Sequence, residues 1–214
     1  MAYTKADIAK LCKGRTTEQK SVIKYFLSPG GCLGGGLKDA GYDTIVQKYA
    51  TGTDFKQKAL SKIGLDESQI SEIDPVHFEG YYFPEKGKLY VKPGKDRKWR
   101  SNLYQISWLF FSSTQVYVYQ YTFNLDEDTK KESTEEYFYK DITNFSTSSD
   151  TIEREDVLVK VSCKGKPEYG RKTVEYDRFA LVVPGANFYC SMDRKDDNDQ
   201  IIQAMKQKLR EKKG

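Results

Sequence analysis

The sequence predicts an α+β chain in two parts: a small helical bundle over residues 1–75, then an antiparallel strand-rich domain over residues 76–214 that closes with one helix. Three observations carry this. Before Pro75, apolar residues recur at helical spacing behind capping residues. From about Tyr81 to Met192 they alternate in short runs bounded by turn residues. After Asp199 a single amphipathic stripe returns.

The helical third reads element by element. Thr4 precedes Ile8, Leu11 and Cys12, with Asp7 three residues on. Thr16 and Gln19 form a capping box before Val22, Ile23, Phe26 and Leu27, and Pro29-Gly30-Gly31 ends that helix. Asp43 is the expected cap of a short helix carrying Ile45, Val46 and Tyr49. Thr53 precedes a helix with Phe55, Ala59, Leu60 and Ile63 on one face and Gly64 as its stop. Asp66 and Gln69 open a last short turn. Helices this short are held by packing rather than by propensity, so a bundle is expected.

In the strand-rich part, Tyr81–Phe83 and Leu89–Val91 read as short strands. Residues Tyr104 to Phe123 form the strongest segment. Eight of these twenty residues are aromatic, and they alternate about the turn Ser112-Ser113-Thr114. This predicts a long hairpin with one face buried and the other partly covered. Asp126 to Glu136 reads as a charged, solvent-facing loop, and Glu135–Lys140 as a strand. Ile152–Asp156 reads as a turn or short connector before the alternating Val157, Val159 and Val161, and Gly165–Gly170 as a loop. Thr173–Val183 and Asn187–Met192 pair about Pro184-Gly185. Asp197 or Asp199 caps the final helix, in which Ile201, Ile202, Met205 and Leu209 share a face.

Bulk composition narrows the function classes. The chain has 214 residues and a net charge of +4, from 35 basic against 31 acidic side chains. So balanced a chain carries no mark of a nucleic-acid binder. Cys12, Cys32, Cys163 and Cys190 form no C-x-x-C pair, so neither a zinc site nor a cofactor motif is indicated. Lys5, Asp7, Lys10 and Lys13 interrupt the first apolar residues, which argues against a signal peptide and for a reducing cytoplasm. The loop Gly30–Gly36 is glycine-rich, but no Gly-Lys-Ser/Thr follows it, so it reads as a connection rather than a phosphate cradle.

The run Trp108-Leu109-Phe110-Phe111, then Val116-Tyr117-Val118-Tyr119, then Tyr139-Lys140-Asp141-Ile142-Thr143 and the helix from Asp199 resembles the pleckstrin-homology-like superfold in its bacterial or GRAM-like form. The resemblance covers roughly Leu89 to Lys213. It implies an antiparallel barrel or sandwich capped by the C-terminal helix, serving as a non-enzymatic platform for a protein or ligand. Headgroup binders of this kind place basic residues in and beside the first hairpin.

The nearest match is the segment Lys86 to Arg100, with seven basic residues against Asp96 alone. Within it Lys92, Lys95, Arg97, Lys98, Trp99 and Arg100 are the candidate ligand-binding or anionic-surface residues. The cluster lies before the predicted Tyr104–Phe123 hairpin instead of spanning its turn. Three readings follow: an interaction module with a protein partner, a protein peripheral to an anionic lipid membrane, and an enzyme with a site at the domain junction near His77 and Cys32. Unpaired strand edges leave self-association open.

Overall fold

The computed structural model describes residues 3–28, 36–70, 73–161, 167–193 and 198–213. Within them the α+β class holds, with five α-helices and nine strands, all strand pairs antiparallel. Helices α1 (Lys5–Leu11) and α2 (Thr17–Leu27) open with the capping boxes that the spacing predicts, Thr4 with Asp7 and Thr16 with Gln19. Helix α4 (Phe55–Ile63) is capped by Asp54, one residue beyond the expected Thr53, and ends on Gly64 at φ 78°. Asp66 donates its N–H to Gln69 Oε1 ahead of a 3₁₀ turn at Glu67–Gln69.

Helix α3 (Asp39–Thr51) corrects the expectation for Asp43. It begins one turn earlier, with Lys38 at the cap position, and Asp43 lies inside it. Gly41 lowers helix propensity there without stopping the helix. The Asp43 carboxylate is taken up by Arg100 instead.

Strand β1 (Val76–Tyr81) starts directly after Pro75, so the periodicity switch falls where the sequence places it. The expected strand at Tyr81–Phe83 is only the end of β1. A two-stranded ribbon follows, β2 (Val91–Pro93) and β3 (Trp99–Ser101), and then the predicted hairpin β4 (Leu103–Phe111) and β5 (Gln115–Asn124). Strand β6 (Lys130–Phe138) begins inside the segment read as a loop. These make one sheet in the order β1-β4-β5-β6. The second sheet is β7 (Asn144–Val161), β8 (Pro167–Val183) and β9 (Ala186–Ser191). The expected break at Ile152–Asp156 is absorbed within β7 as a register irregularity between Arg154 and Val157, a bulge that bends the strand without ending it. Helix α5 (Asn198–Lys213) has Asp199 in its first turn; Asp197 lies outside the described residues.

Alternation along β4 and β5 explains the layering. Tyr104, Ile106, Phe110, Tyr119 and Phe123 face α1–α4, forming one core with Val22, Phe26, Tyr42 and Leu60. Leu109, Phe111, Val116 and Val118 face the other way, onto Phe145, Phe179, Leu181 and Cys190 of the second sheet and Ile202, Met205 and Leu209 of α5. The first sheet is therefore covered on both faces, which is why its central strands carry apolar side chains on both sides. Burying one such phenylalanine contributes about 1.5–3 kcal/mol.

No closed barrel forms among the described residues: the strands make a two-sheet sandwich with a separate ribbon. The sheets instead touch where β9 ends. Asp193 donates its N–H to Glu79 O at 2.8 Å, and a Cβ at Gly80 would lie 3.1 Å from Asp193 N and 3.2 Å from the backbone of Met192. A side chain at Gly80 would press on that segment, which would have to give by a few tenths of an ångström.

Candidate functional site

The connection between β1 and β4 carries every candidate binding residue of the sequence, and the structure divides them. Arg100 is buried, with its side chain 4% exposed. It donates Nε and Nη2 to the two oxygens of Asp43, each at 2.7 Å, and Nη1 and Nη2 to the two oxygens of Asp96, each at 2.9 Å. Two bidentate pairs take four of the five guanidinium N–H groups and Lys98 O accepts from Nη1 at 3.4 Å, so Arg100 is a structural clamp between α3 and the ribbon. These hydrogen bonds hold the Asp96 carboxyl down at about 2 and keep Arg100 charged. The tight turn before it is shaped for the clamp: a Cβ on Gly94 would sit 2.0 Å from Arg100 Nη1 and 2.4 Å from Asp96 Oδ1.

Lys92 is also engaged. Its ammonium lies 4.1 Å from the Tyr25 ring centroid and donates to Tyr25 O at 3.2 Å, and burial lowers its pKa. Lys88 pairs with Asp126 at 2.7 Å. Asp126 is itself fully buried and accepts from Asn102 Nδ2 at 2.6 Å. This corrects the solvent-facing reading of Asp126. Its partners were not legible because they lie on the β1–β4 connection.

Lys95, Arg97 and Lys98 are exposed, and their side chains make no hydrogen bond or ion pair among the described residues. The Lys95 N–H donates to Asp39 Oδ2 at 2.8 Å, tying the loop to α3. Arg97 has φ 65°, an unusual conformation for a side chain with a Cβ. Trp99 is half-buried.

Arg97, Lys98 and Trp99, but not Lys95, form one wall of a cleft of about 420 Å³ between α3, the end of β1, the ribbon, β8 and the segment after β9. Its lining includes the rings of Tyr81, Trp99 and Tyr176, with Phe83 and Tyr104 buried behind them. Tyr81 donates its hydroxyl to Asp43 at 2.7 Å, and burial followed by this bond pushes its pKa far up, so it stays a neutral donor. Arg97 and Lys98 line the ribbon side; Glu175, Asp177 and Asp193 line the β8 and β9 side. Glu175 is exposed and pairs with no described residue. The carboxylates and most of the rings escaped the sequence reading because they stand far apart in the chain. The Tyr81-Tyr82-Phe83 run was the one local signal.

His77 stacks on Trp108 at 4.7 Å and lies 3.8 Å from Glu79. Cys32, its expected partner in a junction active site, lies outside the described residues. Burial pushes the Cys190 thiol up to about 12, as suits a core residue. Among the described residues, no group of three or more His, Cys, Asp or Glu side chains is placed to hold a metal ion, and no helix is long and apolar enough to cross a membrane. Compared with known families, curated proteins and solved structures, the chain matches none.

Proposed function

We propose that this protein is a non-enzymatic binding module, a PH-like platform whose ligand site is the cleft between the helical layer and the two sheets. Four antiparallel strands, then three, then a helix over the second sheet is the order of such a platform, and it supports the reading. The β2–β3 ribbon is then an elaboration of the connection between the first two strands of the larger sheet. The observation that carries the proposal is the cleft itself. Tyr81, Trp99 and Tyr176 present partly exposed rings, and charges of opposite sign stand on different elements at its edges. Such a lining suits a small ligand or peptide group with an apolar body and a cationic end, held by the rings and by Glu175, Asp177 and Asp193.

One specific observation favours a second reading, an anionic-lipid surface. Lys95, Arg97 and Lys98 project from the β1–β4 connection beside Trp99, with no carboxylate taking their charge. Asp43, Asp96 and the β8–β9 carboxylates in the same cleft weigh against a phosphate group entering it.

Calorimetric titration with tyramine and arginine methyl ester as cationic probes, and inositol hexakisphosphate as the anionic one, separates the two. The cleft reading expects binding of the amines that Glu175→Gln weakens and Arg97→Gly spares. Binding of the polyphosphate alone, lost in Arg97→Gly, would replace it with the lipid reading.

A further inference from the structure

A second charged site lies on the opposite kind of surface, between α1 and α2, and it is independent of the cleft. A groove of about 650 Å³ is floored by Ile8, Ala9 and Cys12 and rimmed by Lys5, Lys10, Lys13, Lys20 and Lys24. Two elements assemble the rim: Lys5 and Lys10 lie on α1 with Lys13 in the turn after it, and Lys20 and Lys24 lie one turn apart on α2.

The nearby acids make their hydrogen bonds and ion pairs elsewhere, although the charge of Lys10 also acts on Asp7. The Asp7 carboxylate accepts from Thr4 N at 2.9 Å and Thr4 Oγ1 at 2.6 Å as the cap of α1. Glu18 accepts from Lys48 at 2.9 Å and from Tyr49 at 3.1 Å, on the α3 side. Glu127, from the β5–β6 turn, takes Arg15 at 2.8 Å. None of the five rim lysines forms a salt bridge among the described residues. Five lysines without a salt bridge around a small apolar surface make a positive patch that favours an anionic occupant.

We propose that the α1–α2 groove docks an acidic amphipathic peptide segment, with apolar side chains on Ile8, Ala9 and Cys12 and carboxylates on the lysine rim. The lining favours a peptide over a bilayer. The apolar surface is confined to Ile8, Ala9 and Cys12 inside a lysine rim, and no Trp, Phe or Leu lines it to enter a membrane interface. A helix laid between two helices reaches such a floor.

The test is fluorescence anisotropy of the full chain with a labelled helical peptide of Leu, Ala and Glu, Leu at i, i+3 and i+7 and Glu on the flanks. The expected result is saturable binding. Lys13→Glu with Lys24→Glu should weaken it at least about tenfold, and Lys13→Arg with Lys24→Arg should retain it. Circular dichroism reports whether each variant is folded. Both substituted lysines are exposed, and Lys13→Gln with Lys24→Gln serves if charge reversal perturbs the helices. A scrambled peptide of the same composition binding equally well would overturn the groove in favour of diffuse attraction. Sedimentation with phosphatidylserine vesicles, lost in the same variants while the peptide fails to bind, would overturn it in favour of a membrane. Binding to neither probe would also overturn it.

Discussion

Two lysine- and arginine-rich regions of this chain look alike in sequence and behave in opposite ways when folded. In the Lys86–Arg100 segment, Arg100 is spent on Asp43 and Asp96, Lys88 on Asp126, and Lys92 on the Tyr25 ring and carbonyl. Between α1 and α2, the rim lysines keep their charge while the nearby acids pair elsewhere. The denser run of charge is divided, half of it built into the structure and Lys95, Arg97 and Lys98 left exposed, whereas the scattered lysines between α1 and α2 make an open patch. A linear count of basic residues measures neither, because electrostatic surface is what remains after the folded chain has paired its own charges.

The sharpest way to break this comparison is to remove the clamp. Arg100→Met leaves Asp43 and Asp96 without their cation and detaches α3 from the ribbon. A loss of about 2–3 kcal/mol is expected in urea unfolding, held to the low end for a buried pair because the carboxylates are partly hydrated. A change below about 0.5 kcal/mol would mean that Arg100 is surface charge like the rest. Gly94→Ala attacks the same clamp through space. It should cost about 1–2 kcal/mol, and in the Arg100→Met background the cost should shrink, because the atoms it would strike are gone.

Acid provides a smaller, reversible probe. The folded-state pKa of Asp96 is depressed to about 2, against an ordinary aspartate value of about 3.9 when unfolded. The stability it contributes is complete above about pH 4 and lost as pH falls through about 2. Wild type should therefore show an acid-dependent loss across that window in pH-stepped urea melts. Arg100→Met should show a shallower slope, and an identical slope would count against the pairing.

The open patch should respond least in stability. Lys13→Gln with Lys24→Gln is expected to change the urea midpoint by less than about 0.5 kcal/mol, or to raise it slightly by relieving repulsion. A loss of about 2 kcal/mol would place these lysines in the folding machinery instead. Cysteine labelling sharpens the contrast further: maleimide should modify half-exposed Cys12, at the groove floor, and spare buried Cys190 until the protein unfolds.

The legible parts of this fold are those in which local chemistry and tertiary packing ask for the same thing. The capping boxes at Thr4 and Thr16, the left-handed stop at Gly64 and the hairpin from Tyr104 to Phe123 depend on neighbours within a few residues or on a period of two. The errors fall where a distant partner decides. Asp43 reads as a cap until Arg100 is placed beside it, Asp126 reads as wet until Lys88 and Asn102 cover it, and Ile152–Asp156 reads as a break until β8 carries β7 through it as a bulge. For the site, Lys92 to Arg100 was legible as a segment but not in its division into clamp and rim. Glu175, Asp177 and Asp193 carried no local signal.

By itself, then, the sequence determined the α+β class, the switch from helical to strand period at Pro75, the caps and the central hairpin, because hydrophobic period and capping chemistry act over a few residues. Tertiary structure alone decided that the helices cover one face of the first sheet, that the strands leave a sandwich with a cleft at its edge, and which cations remain free. Those outcomes depend on charges and faces brought together across many tens of residues. Pairing at that range is set by the packing of whole layers, which no local pattern encodes.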